Sequence, residues 1–301
     1  IQYKKDQYIC KFVYCLLNFF MIYHCGRFQL DLTIPRVMGI VNVTPDSFSD
    51  GGKFNSTEKA IEHALKLVAD GADILDIGGE STRPGASPVP LDEELKRVIP
   101  VIEGLRGVGV PLSIDTYKPQ VMQAAITAGA DIVNDVCALR EPQALEIVAA
   151  SQVGVCLMHM QGRPQTMQAD PQYDDVVSEV REFLKDRLNA AEQAGIGRSR
   201  IVLDPGFGFG KRTAHNLTLL NHLNDIQALG LPLLIGLSRK SVLGQVVGSS
   251  VDERIHASIA ASVVSVMKGA NIVRVHDVKP TIDALKIVQA VMNEQDRKSV
   301  V

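Results

Sequence analysis

The sequence has no close CxxC pair, and its five cysteines make an odd total, so a disulfide framework is excluded and a reducing cytoplasm is the expected compartment. Cys10, Cys15 and Cys25 lie near the N-terminus, while Cys137 and Cys156 read as small core or near-rim residues. Charge of one sign is also scarce. A formal net charge of -3 over 301 residues gives no reason to expect a nucleic-acid partner, although a local cationic pocket for a small anion stays compatible with it. Long apolar runs are missing as well: the hydrophobic stretch 9–23 is interrupted by Lys11 and Asn18 and has no small-residue cleavage site, so no membrane span is expected. Residues 1–20, rich in aromatics and outside the rhythm that follows, read as a non-native or upstream-translated extension, with 21–301 as one domain beginning at Met21.

What is present is a regular alternation. With 46% hydrophobic and 22% charged residues, the chain is able to bury a large core as a single domain. Short apolar runs at 37–43, 74–77, 112–114, 132–136, 153–158, 201–203, 233–235 and 272–275 read as strands. Helical patterns follow at 57–69, 91–105, 119–128, from about 142, and at 173–194, 216–229, 256–268 and 281–292. Gly71-Ala72-Asp73, Gly129-Ala130-Asp131 and Gly269-Ala270-Asn271 each sit between a helix and the next strand, where a C-terminal glycine in the left-handed conformation belongs. Eight such alternations fit an α/β fold of the (β/α)8 TIM barrel type. The rival doubly wound sheet lacks its fingerprint here, since no GxGxxG turn follows the first strand. Residues 24–32, with Gly26 near the turn, predict a short N-terminal hairpin that covers the bottom of the barrel.

Polar residues stand where the apolar runs end: Asn42, Asp76, Asp115, Asn134, His159, Asp204, Ser238 and His276. In a closed parallel barrel these ends converge on one rim, which is where such scaffolds carry active sites. Any one of these acids alone also reads as a helix cap or a loop ligand. Together they point to an enzyme.

Several segments are more specific. MGIVNVTPDSFSDGG at 38–52, GGESTRPGA at 78–86, VNDV at 133–136, CLMHMQG at 156–162, DPGFGFGK at 204–211, SRKS at 238–241 and RVHD at 274–277 resemble the dihydropteroate synthase family, in its bacterial single-function form. The resemblance runs from about Gln29 to Val291 with the motifs in order. It implies condensation of 6-hydroxymethyl-7,8-dihydropterin pyrophosphate with 4-aminobenzoate to give 7,8-dihydropteroate and pyrophosphate. It also implies a Mg2+ cofactor held at Asn42, sulfonamides as competitive inhibitors, and a homodimer formed through late helices.

The same resemblance assigns the pterin to Asp115, Asn134, Asp204 and Lys240, and the pyrophosphate to Asn42, Thr82, Arg83, Arg274 and His276. It places 4-aminobenzoate against Phe48, Thr82, Arg83, Pro84, Phe209, Lys240 and Ser241, and makes Asn42, Asp115, Lys240, Arg274 and His276 the catalytic set. The residue types suit those tasks. A pterin edge alternates donors and acceptors, which carboxylates, an amide and an ammonium match in a dry pocket. Arg274 and His276 alternate about Val275, so both side chains are expected on one side of the strand, where cations suit a departing anion. A neutral oxygen at Asn42 suits a hard cation already bridged by phosphate. Polar loops 43–54 and 81–90, the first including Asp46, Asp50 and flexible glycines, are expected to close over the substrates. Ionisation of the pterin methylene carbon from pyrophosphate, followed by attack of the aryl amine, needs no covalent nucleophile, and Cys137 without a paired base reads as packing. Two alternatives remain. A pterin-binding methyltransferase domain of a corrinoid system would have no reason to keep STRPG, SRKS and RVHD together, and a noncatalytic pterin- or phosphate-binding regulator would be expected to lose Asn42, Lys240 or Arg274.

Overall fold

The strand segments carry two interleaved patterns, and these decide how they assemble. In the segment Ile74–Gly78, Leu75 and Ile77 alternate with Ile74, Asp76 and Gly78, and all five are buried. A strand buried on both faces belongs in a sheet covered by helices on one side and closed on itself on the other. The computed structural model, which describes residues 21–43, 53–81, 87–163 and 166–293, has that arrangement. A hairpin of β1 (Ile22–Cys25) and β2 (Phe28–Asp31) precedes β3 (Arg36–Asn42), β4 (Ile74–Gly78), β5 (Leu112–Asp115), β6 (Ile132–Asp135), β7 (Gly154–Met158), β8 (Ile201–Asp204), β9 (Leu234–Ile235) and β10 (Ile272–Val275). Strands β3 to β8 are parallel neighbours in chain order, β10 lies between β3 and β9, and a bridge from Leu203 to Leu233 links β8 to the β9 segment and completes the circle.

Outward residues of the strands, such as Val37, Val41, Leu75, Ile77, Ile114, Val133, Leu157 and Val273, form one apolar cluster with the surrounding helices. Inward residues divide by height. Met38, Ile74, Ile132, Cys156, Val202, Leu234 and Ile272, low in the barrel, pack against Tyr23, Cys25 and Leu32 of the hairpin segment. The hairpin therefore seals the bottom, as expected, and Arg27 pins its turn through a two-pronged bond to the buried Asp131 at 2.9 Å on each oxygen. Above that apolar floor the inward positions turn polar.

Local chemistry sets the helix ends. Pro119 opens the helix Pro119–Ala128, and Gly129 closes it in the left-handed conformation, as Gly71 and Gly269 do at the equivalent places. Asp175 caps Val176–Gln193 by accepting from Val177 N at 3.0 Å, so that helix begins later than the expected residue 173. The helix expected at 216–229 is two, Thr213–Asn221 and Leu223–Gln227, because the backbone at His222 leaves helical geometry. A further helix, Ser241–Val247, was not anticipated. Residues 1–20 lie outside the described residues. Among those described, Cys25, Cys137 and Cys156 are free and buried, and no helix is long and apolar enough to cross a membrane.

Candidate active site

Register brings the polar inward positions together. Asn42 pairs with Gly78, Gly78 with Asp115, and Asp115 with Asn134, in a continuous row across β3 to β6 near the C-terminal ends of the strands. Asp204 closes β8 opposite them. Glycines leave the space these side chains occupy. A methyl group added to Gly78 would lie 3.5 Å from the Asp115 Cβ, and one added to Gly236 would lie 3.8 Å from Lys240 Nζ and 3.9 Å from the Arg274 Cβ. Lys240 and Arg274 therefore meet above Gly236.

Arg274 lies between carboxylates. Its Nε donates to Asp76 Oδ2 at 2.5 Å and its Nη2 to Asp115 Oδ2 at 2.7 Å, which uses two of its five N–H groups. Burial alone would lower its pKa, but the two carboxylates more than compensate and hold it above the ordinary value. Asp115 responds in the opposite sense: burial pushes it up to about 7, against the pull of Arg274. Burial also raises Asp204, opposed mainly by Lys240, and lowers Lys240 to about 8 despite Asp204. Asp115, Asp204 and Lys240, displaced toward neutrality, line one pocket with Arg274, which is held charged. Such groups are able to exchange hydrogen bonds with a neutral heterocycle at little cost in charge.

Two short motifs form the wall around Lys240. The SRKS turn bends at Arg239, which has φ +57, and is clasped there by two bonds from the Arg239 guanidinium to Asp277 at 2.6 and 3.0 Å. Lys240 Nζ then donates to the carbonyl of Phe207 and sits 4.6 Å from the centre of the Phe209 ring. The DPGFGFGK loop carrying that carbonyl is braced from inside. Lys211 Nζ lies 2.8 Å from His159 Nδ1, 2.9 Å from Gly206 O and 3.1 Å from Phe209 O, three acceptors for the three donors of an ammonium. Burial, reinforced by Lys211, drives His159 down to about 2, so its ring is neutral and accepts at Nδ1. Gly206 has φ +70, and a Cβ there would stand 1.8 Å from His159 O, so glycine is the residue that fits.

Not every expected neighbour is placed as the alternation suggested. Arg274 turns down to Asp76 and Asp115, whereas His276, one residue past the end of β10, turns toward Ser238. The backbone N–H of His276 donates to Ser238 Oγ at 3.2 Å, and its Nδ1 lies 3.0 Å from the same hydroxyl oxygen. Asp76, expected at the rim, lies a layer lower and is fully buried. Ser241 is exposed at the start of its helix, and Phe209 is buried beside Val136, Cys137, Met158, Met160 and Met167. Burial raises the Cys137 thiol to about 12, in keeping with packing. Phe48, Thr82, Arg83 and Pro84, with Asp46 and Asp50, lie outside the described residues.

Sequence reasoning passed over Lys211, the Arg239–Asp277 clasp and the depth of Asp76. The first two were signalled by adjacency: Lys211 ends one motif, and the clasp joins two others. Among the described residues no three His, Cys, Asp or Glu side chains gather as a metal cage. Asn42, half-buried at the end of β3, offers a single neutral oxygen. That donor fits a hard cation that arrives on a diphosphate and keeps its own waters.

Residues 38–276 match the family described as pterin binding enzyme. The chain is 50% identical over 271 residues to dihydropteroate synthase of Escherichia coli (strain K12), covering 90% of this chain and 96% of that protein. Its structure is similar to Xanthomonas albilineans dihydropteroate synthase with 4-aminobenzoic acid, at a TM-score of 0.86 and 54% identity over 90% of this chain and 98% of that one. It is also similar to Burkholderia cenocepacia dihydropteroate synthase complexed with 7,8-dihydropteroate, at a TM-score of 0.85 and 50% identity over 92% of this chain and 98% of that one.

Proposed function

Because the chain belongs to the dihydropteroate synthases, we propose a division of labour among its rim residues that follows from their geometry. The enzyme condenses 6-hydroxymethyl-7,8-dihydropterin pyrophosphate with 4-aminobenzoate, releasing pyrophosphate and giving 7,8-dihydropteroate. The observation that carries the assignment of parts is the pocket in which Asp115, Asn134, Asp204, Lys240 and Arg274 converge above an apolar floor.

Asp115 and Asp204 accept from the pterin ring N–H and amine groups, Asn134 supplies an amide, and Lys240 donates to the carbonyl side. Arg274 keeps N–H groups beyond the two given to Asp76 and Asp115, and these, with His276 and Asn42, face the departing pyrophosphate. Mg2+, carried on the pyrophosphate and touched by Asn42, would supply charge neutralisation to the leaving group when bound. The pterin methylene carbon ionises, and the weakly basic aryl amine attacks it without a protein nucleophile. Phe209 and Ser241, with Phe48, Thr82, Arg83 and Pro84 of the two loops, flank the second substrate, where sulfonamides compete with 4-aminobenzoate. Free buried thiols suit a reducing cytoplasm, and the enzyme acts there as a homodimer.

The test is product formation from the two substrates, with and without Mg2+, followed by mass spectrometry. Dihydropteroate is expected, with rate lost on chelation and with sulfonamide inhibition relieved by 4-aminobenzoate. A folded protein that binds the pterin and forms no product would return the site to the methyltransferase reading.

A further inference from the structure

One buried carboxylate beneath the substrate groups has no part in that scheme. Asp76 lies on β4, one inward position below Gly78, and is fully buried. Its Oδ2 accepts from Arg274 Nε at 2.5 Å and from Asn134 Nδ2 at 3.1 Å. Among the described residues its Oδ1 has no hydrogen-bond partner, nor does Ser113 Oγ, which belongs to the residue paired with Asp76 across β4 and β5. Burying a carboxylate with one oxygen unsatisfied weakens a fold. Stability therefore does not account for this residue.

We propose that Asp76 is a positioning residue for the pterin pocket: one oxygen fixes the amide orientation of Asn134 and the tilt of the Arg274 guanidinium together, and so sets which groups above it donate and which accept. The proposal rests on the pterin site assigned above.

The argument for Asn134 is one of sign. Were its amide reversed, Oδ1 would stand about 3 Å from a carboxylate oxygen with no proton between them, two acceptors in repulsion. Nδ2 is thus committed downward, and Oδ1 is presented to the rest of the pocket as an acceptor for a ring N–H or an exocyclic amine. Asn134 on its own would be free to turn either way, and a pocket that reads alternating donors and acceptors would lose its selectivity.

For Arg274 the argument is one of direction. Asp76 on β4 holds Nε while Asp115 on β5 holds Nη2, so carboxylates on adjacent strands fix the guanidinium plane at two points. With Asp76 neutral, its bond to Nε would lose charge assistance, and Asp115 alone would hold the group by a charge-assisted contact.

Asp76 also acts through charge. The groups facing Asp115 are Arg274, Asp76, Glu94 and Asp135, with Lys240 beyond. Among them Asp76 is an anion that adds to the upward push of burial on Asp115. Removing its charge lowers Asp115, so the carboxylate form that accepts from the pterin persists to lower pH.

Calorimetric binding of 6-hydroxymethyl-7,8-dihydropterin pyrophosphate, steady-state kinetics and thermal melting are to be measured on the full chain and on Asp76→Asn. Expected are a rise of about tenfold or more in pterin Kd and KM, the scale of a lost charge-assisted bond, and an unchanged 4-aminobenzoate KM at saturating pterin. The thermal transition is expected to stay in place, and the acidic limb of kcat/KM for the pterin to move to lower pH. The swapped pair Asp76→Asn/Asn134→Asp, in which the amide donates upward to a carboxylate, is expected to recover pterin binding relative to Asn134→Asp alone. A general structural role would lower use of both substrates together with the melting point and leave the pH limb where it is. Wild-type pterin affinity in Asp76→Asn would overturn the proposal. So would a folded swapped pair that gains nothing over Asn134→Asp, or failure of both Asp76 variants to fold, which would make the residue structural. A wild-type protein that does not bind the pterin pyrophosphate would instead overturn the site assignment.

Discussion

Burial of ionisable side chains gives single residues a measurable pH signature, and His159 carries one in the acid range. It is held neutral in the folded protein, with its pKa pushed down to about 2 by burial and by Lys211, while an unfolded chain protonates it near its ordinary 6.5. Above that value both states bind the same number of protons, and His159 adds no pH dependence. As pH falls below it, the unfolded state gains a proton that the folded state refuses, so stability is lost at up to about 1.4 kcal/mol per pH unit, or roughly 2–3 kcal/mol by pH 4.5. His159→Gln keeps an acceptor for Lys211 and cannot titrate. It is expected to be less stable than wild type at pH 7.5, with the gap narrowing or reversing at pH 4.5 in urea unfolding. Parallel pH dependence in the two proteins would show that His159 titrates normally. Lys211 and Asp76 show what sequence does not disclose at this scale: both lie within or beside readable motifs, yet their roles depend on which nitrogens face them across more than 50 residues of chain.

At the scale of elements, period and punctuation carried most of the information. Leu91–Leu105, Pro119–Ala128 and Ile272–Val275 fall on the boundaries expected from apolar spacing, because each has a proline or a positively charged or glycine stop beside it. The helix Ser241–Val247 escaped notice because two turns are too short to establish a period; its marker is Gly248 at φ +69. The hairpin was legible from its turn, but its fit against the barrel was not. A methyl group on Gly154 at the start of β7 would stand 2.3 Å from the Tyr23 hydroxyl oxygen and 2.9 Å from the Cys25 Cβ. Gly154→Ala is therefore expected to cost about 1–3 kcal/mol by overpacking. The Tyr23 hydroxyl is itself buried without a hydrogen-bond partner among the described residues, so Tyr23→Phe alone should be neutral or stabilising by up to about 1 kcal/mol. Combined, the two changes should cost somewhat less than their sum, since the phenylalanine removes the nearest colliding atom and leaves the ring Cζ at 2.6 Å. Strict additivity in chemical denaturation would show that the hairpin yields elsewhere.

The whole molecule presents an uneven outer wall. Met267, at 69% exposure, ends the helix Ile255–Met267, and Ile287, Val291 and Met292, at 68%, 68% and 66%, lie on its neighbour Val278–Met292. The two helices pack against each other, so four large apolar side chains stand on adjoining elements beside Val264, which is also exposed. Large apolar residues exposed on two packed helices offer a face for the proposed homodimer. A second copy of the chain is the occupant that the expected homodimer supplies, and a two-fold interface is self-complementary, so one patch serves both partners. The wild-type protein should therefore elute with a light-scattering mass near twice 32.7 kDa. Met267→Lys/Ile287→Glu places charges in the patch on both copies and should shift that mass to the monomer. Because these helices lie on the outer wall and Asp115, Asn134, Asp204, Lys240 and Arg274 converge inside the barrel, the monomer should keep its pterin affinity while losing the concentration dependence of its melting point. A double variant that remains dimeric would place the interface on another face of the barrel; one that becomes monomeric and also loses pterin binding would show that the far wall supports the pocket through the strands β3 and β10 that it covers.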